Sequence, residues 1–164
     1  NGKYFREKLG NEELARVIRE RVLSPEAIAA IVPLVRERID TGEDFIPATD
    51  FFFRGDLDYA ADLLCPKKRT FAEVAEILEA YSDAIDRQYD FSHAALEAFS
   101  RAFAESKTWH TRDLFMPVRV AVTGRQASPP LFETMTVLGR ALVRRRLRTA
   151  TQRAKDAARE EKKS

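Results

Sequence analysis

Apolar side chains recur along most of this chain at helical spacing. Leu14, Val17, Ile18 and Val22 repeat at intervals of three and four, which is the stripe of an amphipathic helix. Asn11-Glu12-Glu13 ahead of them reads as a cap and an acidic first turn. Ser24-Pro25-Glu26 starts a second helix, with Ser as N-cap and Pro at the first helical position, and Ile28, Ile31 and Val32 facing inward. Pro33 ends or kinks that helix, and Leu34 to Ile39 continues it, with Arg36, Glu37 and Arg38 at its C-terminal end. Thr41-Gly42-Glu43-Asp44 begins a short segment toward Phe51-Phe52-Phe53. Three successive rings cannot share one face of a helix, and they are assigned to packing.

Asp56 to Leu64 reads as a short helix ending before Cys65-Pro66. The run Cys65-Pro66-Lys67-Lys68-Arg69 is the best linker, whose cations either touch phosphate or are solvated. Thr70-Phe71-Ala72-Glu73 is a capping box. It opens a strongly periodic helix with Phe71, Val74, Ile77, Leu78 and Tyr81 on one side. Ser92 caps the next, where Leu96, Phe99 and Phe103 form the stripe. Trp109 to Asp113 reads as a loop. Phe132, Met135 and Leu138 stripe a later helix closed by Gly139. Arg140 to Thr149 forms the last, with Leu142, Val143 and Leu147 inward and Arg144, Arg145, Arg146 and Arg148 around them. Thr151 to Ser164 lacks apolar anchors and reads as a frayed, charged helix.

One stretch breaks the helical rhythm. Leu114 to Val122 holds three Val with partial alternation, so periodicity alone reads it as a strand. Arg119 stands inside that apolar run, and a guanidinium there is costly unless it is paired or meets a planar acceptor. It therefore either closes an internal ion pair or meets a ligand. Thr123-Gly124 fits a helix C-terminus, with Gly supplying the left-handed residue. Ser128-Pro129 fits the next N-terminus, with Ser128 as N-cap.

Composition narrows the function. The 164 residues, 45% hydrophobic and 33% charged, can bury one core or two small ones. No run reaches the roughly 18 apolar residues of a membrane span. The single Cys65 fits a reducing compartment, and His93 and His110 lack metal-ligand spacing with it. The net charge of +2 conceals a split: 13 Lys/Arg against 5 Asp/Glu from Thr111 onward, and 15 against 21 before it. That asymmetry suggests a basic face for a polyanion, or a solvated basic tail. No Gly-rich phosphate loop, paired carboxylates or Ser/His/Asp or Cys/His grouping appears. His110 has no evident nucleophile or carboxylate partner, which leaves it an exposed loop residue.

The central stretch resembles the C-terminal anticodon-binding region of bacterial glutamyl-tRNA synthetases, class I enzymes that join glutamate to its tRNA. The match runs through Met116-Pro117-Val118-Arg119-Val120-Ala121-Val122-Thr123-Gly124, Ser128-Pro129, Leu131-Phe132 and Leu138-Gly139, with weaker similarity upstream. The resemblance implies an all-α fold of two small helical subdomains forming a cage around the anticodon loop, divided here as 1–66 and 67–150 with a charged tail, 151–164. It replaces the strand with a helix starting at Met116-Pro117. It implies that Arg119 contacts anticodon bases, and that Ser128, Pro129 and Leu131 line the pocket for the first two letters. Arg38 matches an arginine reading the third letter, with Arg36 as rival. Thr123 and Arg125 complete the tRNA-binding set.

The opening at Asn1, without an initiator Met, implies with this resemblance a piece of a longer enzyme. The class I signatures of the His-x-Gly-His and Lys-Met-Ser-Lys-Ser types are absent from 1–164. The expectation is therefore a non-catalytic piece with no cofactor of its own, belonging to a monomeric, cytoplasmic glutamate–tRNA ligase that uses ATP and Mg elsewhere. Its partner would be the anticodon loop of tRNA(Glu), with no membrane and no DNA. The alternatives are a helical protein-interaction module whose Arg-rich last helix docks an acidic partner, and a stand-alone nucleic-acid regulator. The latter suffers because no base-reading helix-turn-helix register stands out.

Overall fold

The computed structural model describes residues 9–163. They form eight α-helices and no strand, so among the described residues the fold is all-α. The chain divides into two compact units, Asn1–Thr49 and Asp50–Ser164.

In the first unit, α1 (Asn11–Val17) has Gly10 at its N-cap, one residue before the expected cap Asn11, and runs into a π-helical turn, Ile18–Val22. None of its residues is buried. Of the predicted stripe, Leu14 and Val17 are half-buried, and Ile18 and Val22 are each 41% exposed. Helix α2 (Pro25–Val35) starts as expected: the Ser24 hydroxyl accepts the Ala27 N–H at 3.1 Å, and Pro25 takes the first position. Ile31 and Val35 are buried, whereas Val32 faces out. Pro33 does not end α2. Its ring lies on the exposed side, and the helix closes two residues later into a 3-10 turn, Arg36–Arg38. A second 3-10 turn, Gly42–Asp44, carries a capping box in which the Asp44 carboxylate accepts the Thr41 N–H at 2.8 Å and the Asp40 N–H at 3.1 Å. Those bonds favour the charged form and hold its carboxyl below the ordinary 3.8.

Helix α3 (Phe45–Phe53) leads the chain into the second unit. Of its four rings, Phe45, Phe51, Phe52 and Phe53, only Phe51 is fully buried. Residues 54–60 form no helix, and only Ala61–Leu64 turns, as 3-10. The predicted helix over 56–64 fails for a definable reason. Arg146 donates to the carbonyls of Phe51 and Arg54, and Arg153 to those of Leu57 and Tyr59. Acceptors that a helix would satisfy from within are held by side chains instead. The same bonds tie residues 51–59 to the second unit, so the chain divides within α3 and not after Pro66.

The core of the second unit is built by α4 (Phe71–Ile85), α5 (His93–Ser106), α6 (Thr111–Thr123), α7 (Leu131–Leu138) and α8 (Arg140–Glu161). The Thr70/Glu73 capping box opens α4, and the expected stripe Phe71, Val74, Ile77, Leu78 and Tyr81 is buried. Tyr81 and Ser100 share a buried hydroxyl bond of 2.8 Å between α4 and α5. Burial pushes the Tyr81 hydroxyl well above its ordinary value of 10. Helix α8 neither stops at Thr149 nor frays. It is one helix of 22 residues packed along α4, with Ala150, Thr151 and Ala154 buried. The anchors of the tail are small side chains that let the two helices approach closely.

Candidate nucleic-acid interface

The strand-like run Leu114 to Val122 is helical. Leu114, Pro117, Val118, Val120, Ala121, Val122 and Thr123 of α6 are all buried, and the opposite face, Arg112, Met116 and Arg119, draws its polar start from the turn before Leu114. Helix α6 begins at Thr111, earlier than Met116-Pro117, so Trp109–Asp113 is not a loop throughout and Pro117 lies in the helix interior. At the other end Gly124 adopts φ +75°, with Leu57 and Tyr59 about its Cα. That left-handed conformation strains any L side chain, and it turns the chain from α6 into the segment that meets Arg119.

Arg119 is half-buried on α6. Its Nη1 donates to the Ser128 hydroxyl at 2.7 Å and to the Pro129 carbonyl at 2.9 Å. Ser128 is therefore not a helix cap: α7 starts at Leu131, with Pro130 at its N-cap. The Ser128 side chain is 6% exposed and turns toward Arg119. Pro129 and Leu131 are buried beside it. The Thr123 hydroxyl donates to the Arg119 carbonyl at 2.7 Å and accepts the Arg125 N–H at 3.2 Å. Arg125 closes an ion pair with Asp50 and lies 5.5 Å from the centre of the Phe51 ring. Thus Arg119, Thr123, Arg125, Ser128 and Pro129 form one connected cluster, with the buried Leu131 next along the chain. Arg36 and Arg38 belong to the first unit, both exposed on the 3-10 turn after α2.

A groove of about 1030 Å³ opens beside Arg119. Its walls are the loop Cys65–Lys68 and the first turns of α6, including Arg112, Asp113, Phe115 and Met116. In the sequence Lys67 and Lys68 stand in a linker, and no local motif marks Arg112, Phe115 and Met116 as groove residues. The available signal was spacing: Phe115 and Met116 precede Arg119 by four and three residues, which on a helix places all three on one face.

The Arg-rich helix α8 is not a free basic face. Arg144 and Arg148 pair with Asp86 at 3.0 and 3.3 Å, Arg145 with Asp56 at 2.7 Å and Lys155 with Glu79 at 2.6 Å. Arg146, expected on the surface, is 3% exposed. It donates to the Val122, Phe51 and Arg54 carbonyls. Burial lowers its pKa to about 10. Among the described residues no group of three or more His, Cys, Asp or Glu gathers to hold a metal. No helix among them is long and apolar enough to cross a membrane.

Residues 8–151 match the anticodon binding domain family. The chain is 34% identical to a glutamate–tRNA ligase of Chloroflexus aurantiacus, over 85% of its own length and 31% of the relative's. It is 38% identical to that of Saccharopolyspora erythraea, over 74% of the chain and 24% of the relative. Its fold is that of part of a crystal structure of a glutamate tRNA ligase from Elizabethkingia meningosepticum in complex with its amino acid, with a TM-score of 0.70, 22% identity and 93% of this chain covered. The chain thus spans about a quarter to a third of the length of the curated relatives it matches.

Proposed function

The chain belongs to the anticodon binding domain family, and from that premise we propose that it reads the anticodon loop of a glutamate tRNA as one part of a glutamate–tRNA ligase. The observation that carries this reading is the pair of hydrogen bonds from Arg119 to Ser128 and Pro129. They fix the plane of a guanidinium at the edge of a groove. A planar donor fork of fixed orientation is suited to the carbonyl oxygens and ring nitrogens of splayed bases. The Thr123 bonds set the backbone on either side of the turn, so the fork is oriented before any ligand arrives.

Within this proposal Arg38, with Arg36 as its rival, reads the third letter from the first unit. Cytosine there presents acceptors to a group that only donates, whereas guanine presents donors from its Watson–Crick edge and leaves the cation unpaired. Activation of glutamate with ATP and Mg belongs to residues outside this chain. The partner is tRNA(Glu), met in the cytoplasm by a monomeric enzyme. The competing reading, an Arg-rich helix docking an acidic protein, is disfavoured because the α8 cations named above are paired internally.

The test is titration of the full chain with an anticodon stem-loop of the glutamate type and with stem-loops altered one letter at a time. A wrong letter should weaken binding by about 1–3 kcal/mol. Arg38→Gln should narrow the penalty for G at the third letter and leave the others. Equal affinity for every stem-loop would overturn the proposal, and an unchanged third-letter penalty in Arg38→Gln would move that role to Arg36.

A further inference from the structure

The groove beside Arg119 has a chemistry of its own. Lys67, Lys68 and Arg112 stand on it, all exposed, and none of them closes an ion pair among the described residues. The one carboxylate in the lining, Asp113, faces the Arg69 guanidinium at 3.7 Å. Arg69 is itself held 4.0 Å above the Trp109 ring and bonded to Glu73 at 3.2 Å. The acidic group is therefore compensated from behind the wall, and the three remaining cations keep their charge for whatever enters. The half-buried Phe115 and Met116 add apolar surface to the same lining, which also includes Arg119. This differs from α8, where the arginines are largely matched by carboxylates and carbonyls.

Resting on the reading above, we propose that this groove holds a stretch of single-stranded RNA backbone, with its phosphates on Lys67, Lys68 and Arg112, so that the next base is delivered to Arg119. Cations on long flexible stems follow phosphate oxygens without regard to sequence, whereas the fixed Arg119 fork distinguishes base edges. The groove supplies affinity and register, and Arg119 supplies choice. Its volume admits a nucleotide unit, and the Phe115–Met116 wall gives the sugar or an adjacent base an apolar surface.

The experiment compares the wild-type full chain with the triple variant Lys67→Ala/Lys68→Ala/Arg112→Ala. Two probes are titrated across a salt series: the glutamate-type stem-loop and an unstructured RNA heptamer of unrelated sequence. Three single-strand phosphate contacts correspond to a slope of log affinity on log salt of about 2. The variant should lose about that much slope on both probes. It should weaken by the same factor for every anticodon letter, with an unchanged melting temperature. Unchanged slopes, or a loss that depends on the letter, would overturn the groove proposal even while anticodon discrimination persists. Loss of heptamer binding in the variant, with no discrimination by the wild type, would leave the groove standing and remove the anticodon reading. A wild-type chain that binds neither probe would remove both.

Discussion

Among the described residues of the first unit the buried side chains are Ile31, Val35 and Thr49, whereas the second closes Val74, Leu78, Tyr81, Leu96, Leu114, Val118, Met135 and Leu147 into one core. The first keeps its shape largely through local devices: the Ser24 cap, Pro25, and the Thr41/Asp44 box. The second rests on α4 and α8 packed side by side and on arginines that bind distant carbonyls. The candidate reading residues follow the same division. Arg119 is oriented by Ser128 and Pro129 on a helix buried on most sides, while Arg36 and Arg38 stand exposed on a single 3-10 turn. Preorganised donors contribute more affinity per hydrogen bond, because less side-chain freedom is lost on binding. The two regions should accordingly differ in how stability and recognition respond to substitution.

The largest contrast is between the core of the second unit and the outward face of α2 in the first. Leu78→Ala in the second unit should cost about 2–5 kcal/mol, because a fully buried side chain leaves a cavity. Val32→Ala in the first, with its side chain outward, should stay within about 0.5 kcal/mol. Denaturant unfolding of both variants checks this, and equal losses would break the comparison. Arg146→Leu comes next. It strips a charged donor from the Val122, Phe51 and Arg54 carbonyls, at about 1–3 kcal/mol for a buried acceptor left unmade. Release of the desolvated guanidinium offsets part of that. The net loss should be about 2 kcal/mol, read by thermal melting; a stabilised variant would show that burial of the charge outweighs its bonds.

The smallest effect is acid sensitivity of the two capping boxes. Backbone and side-chain bonds from Thr41 and Thr70 hold the Asp44 and Glu73 carboxyls below their ordinary 3.8 and 4.5. A carboxyl depressed in the folded state stabilises above its unfolded value, and that contribution is lost as pH falls through the folded value. The stability difference between wild type and Glu73→Ala should therefore be constant from pH 7 to about 5 and shrink below 4.5. A difference that grows with acid would contradict the assignment.

Much of this fold was legible wherever a local rule fixed it. Ser24-Pro25, the Thr70/Glu73 box and Gly124 act within four residues, and each stands as the sequence implied. Most of the misreadings share one cause, which is tertiary context. Leu114–Val122 looks like a strand because that window leaves out Thr111-Arg112-Asp113, which carry most of the polar face of the helix, and its three Val partly alternate. Residues 56–60 looked helical because nothing in their own sequence reveals that Arg146 and Arg153 take the neighbouring carbonyls. The end of α8 looked unanchored because Ala150 and Ala154 pack by being small. At the site, Arg119 was conspicuous as a cation in an apolar run. The inward turn of Ser128 depends on Arg119 nine residues earlier, and the gathering of Lys67, Lys68 and Arg112 on segments far apart in sequence.

Arg119→Ala, measured for melting and for stem-loop affinity side by side, separates a base-reading arginine from a structural one. The variant should lose about 1–3 kcal/mol in binding the glutamate-type stem-loop, show a flattened preference among anticodon letters, and stay folded at the assay temperature. A melting temperature that collapses while affinity per folded molecule and letter preference stay those of the wild type would contradict base reading, and would make Arg119 a brace of the α6–α7 turn.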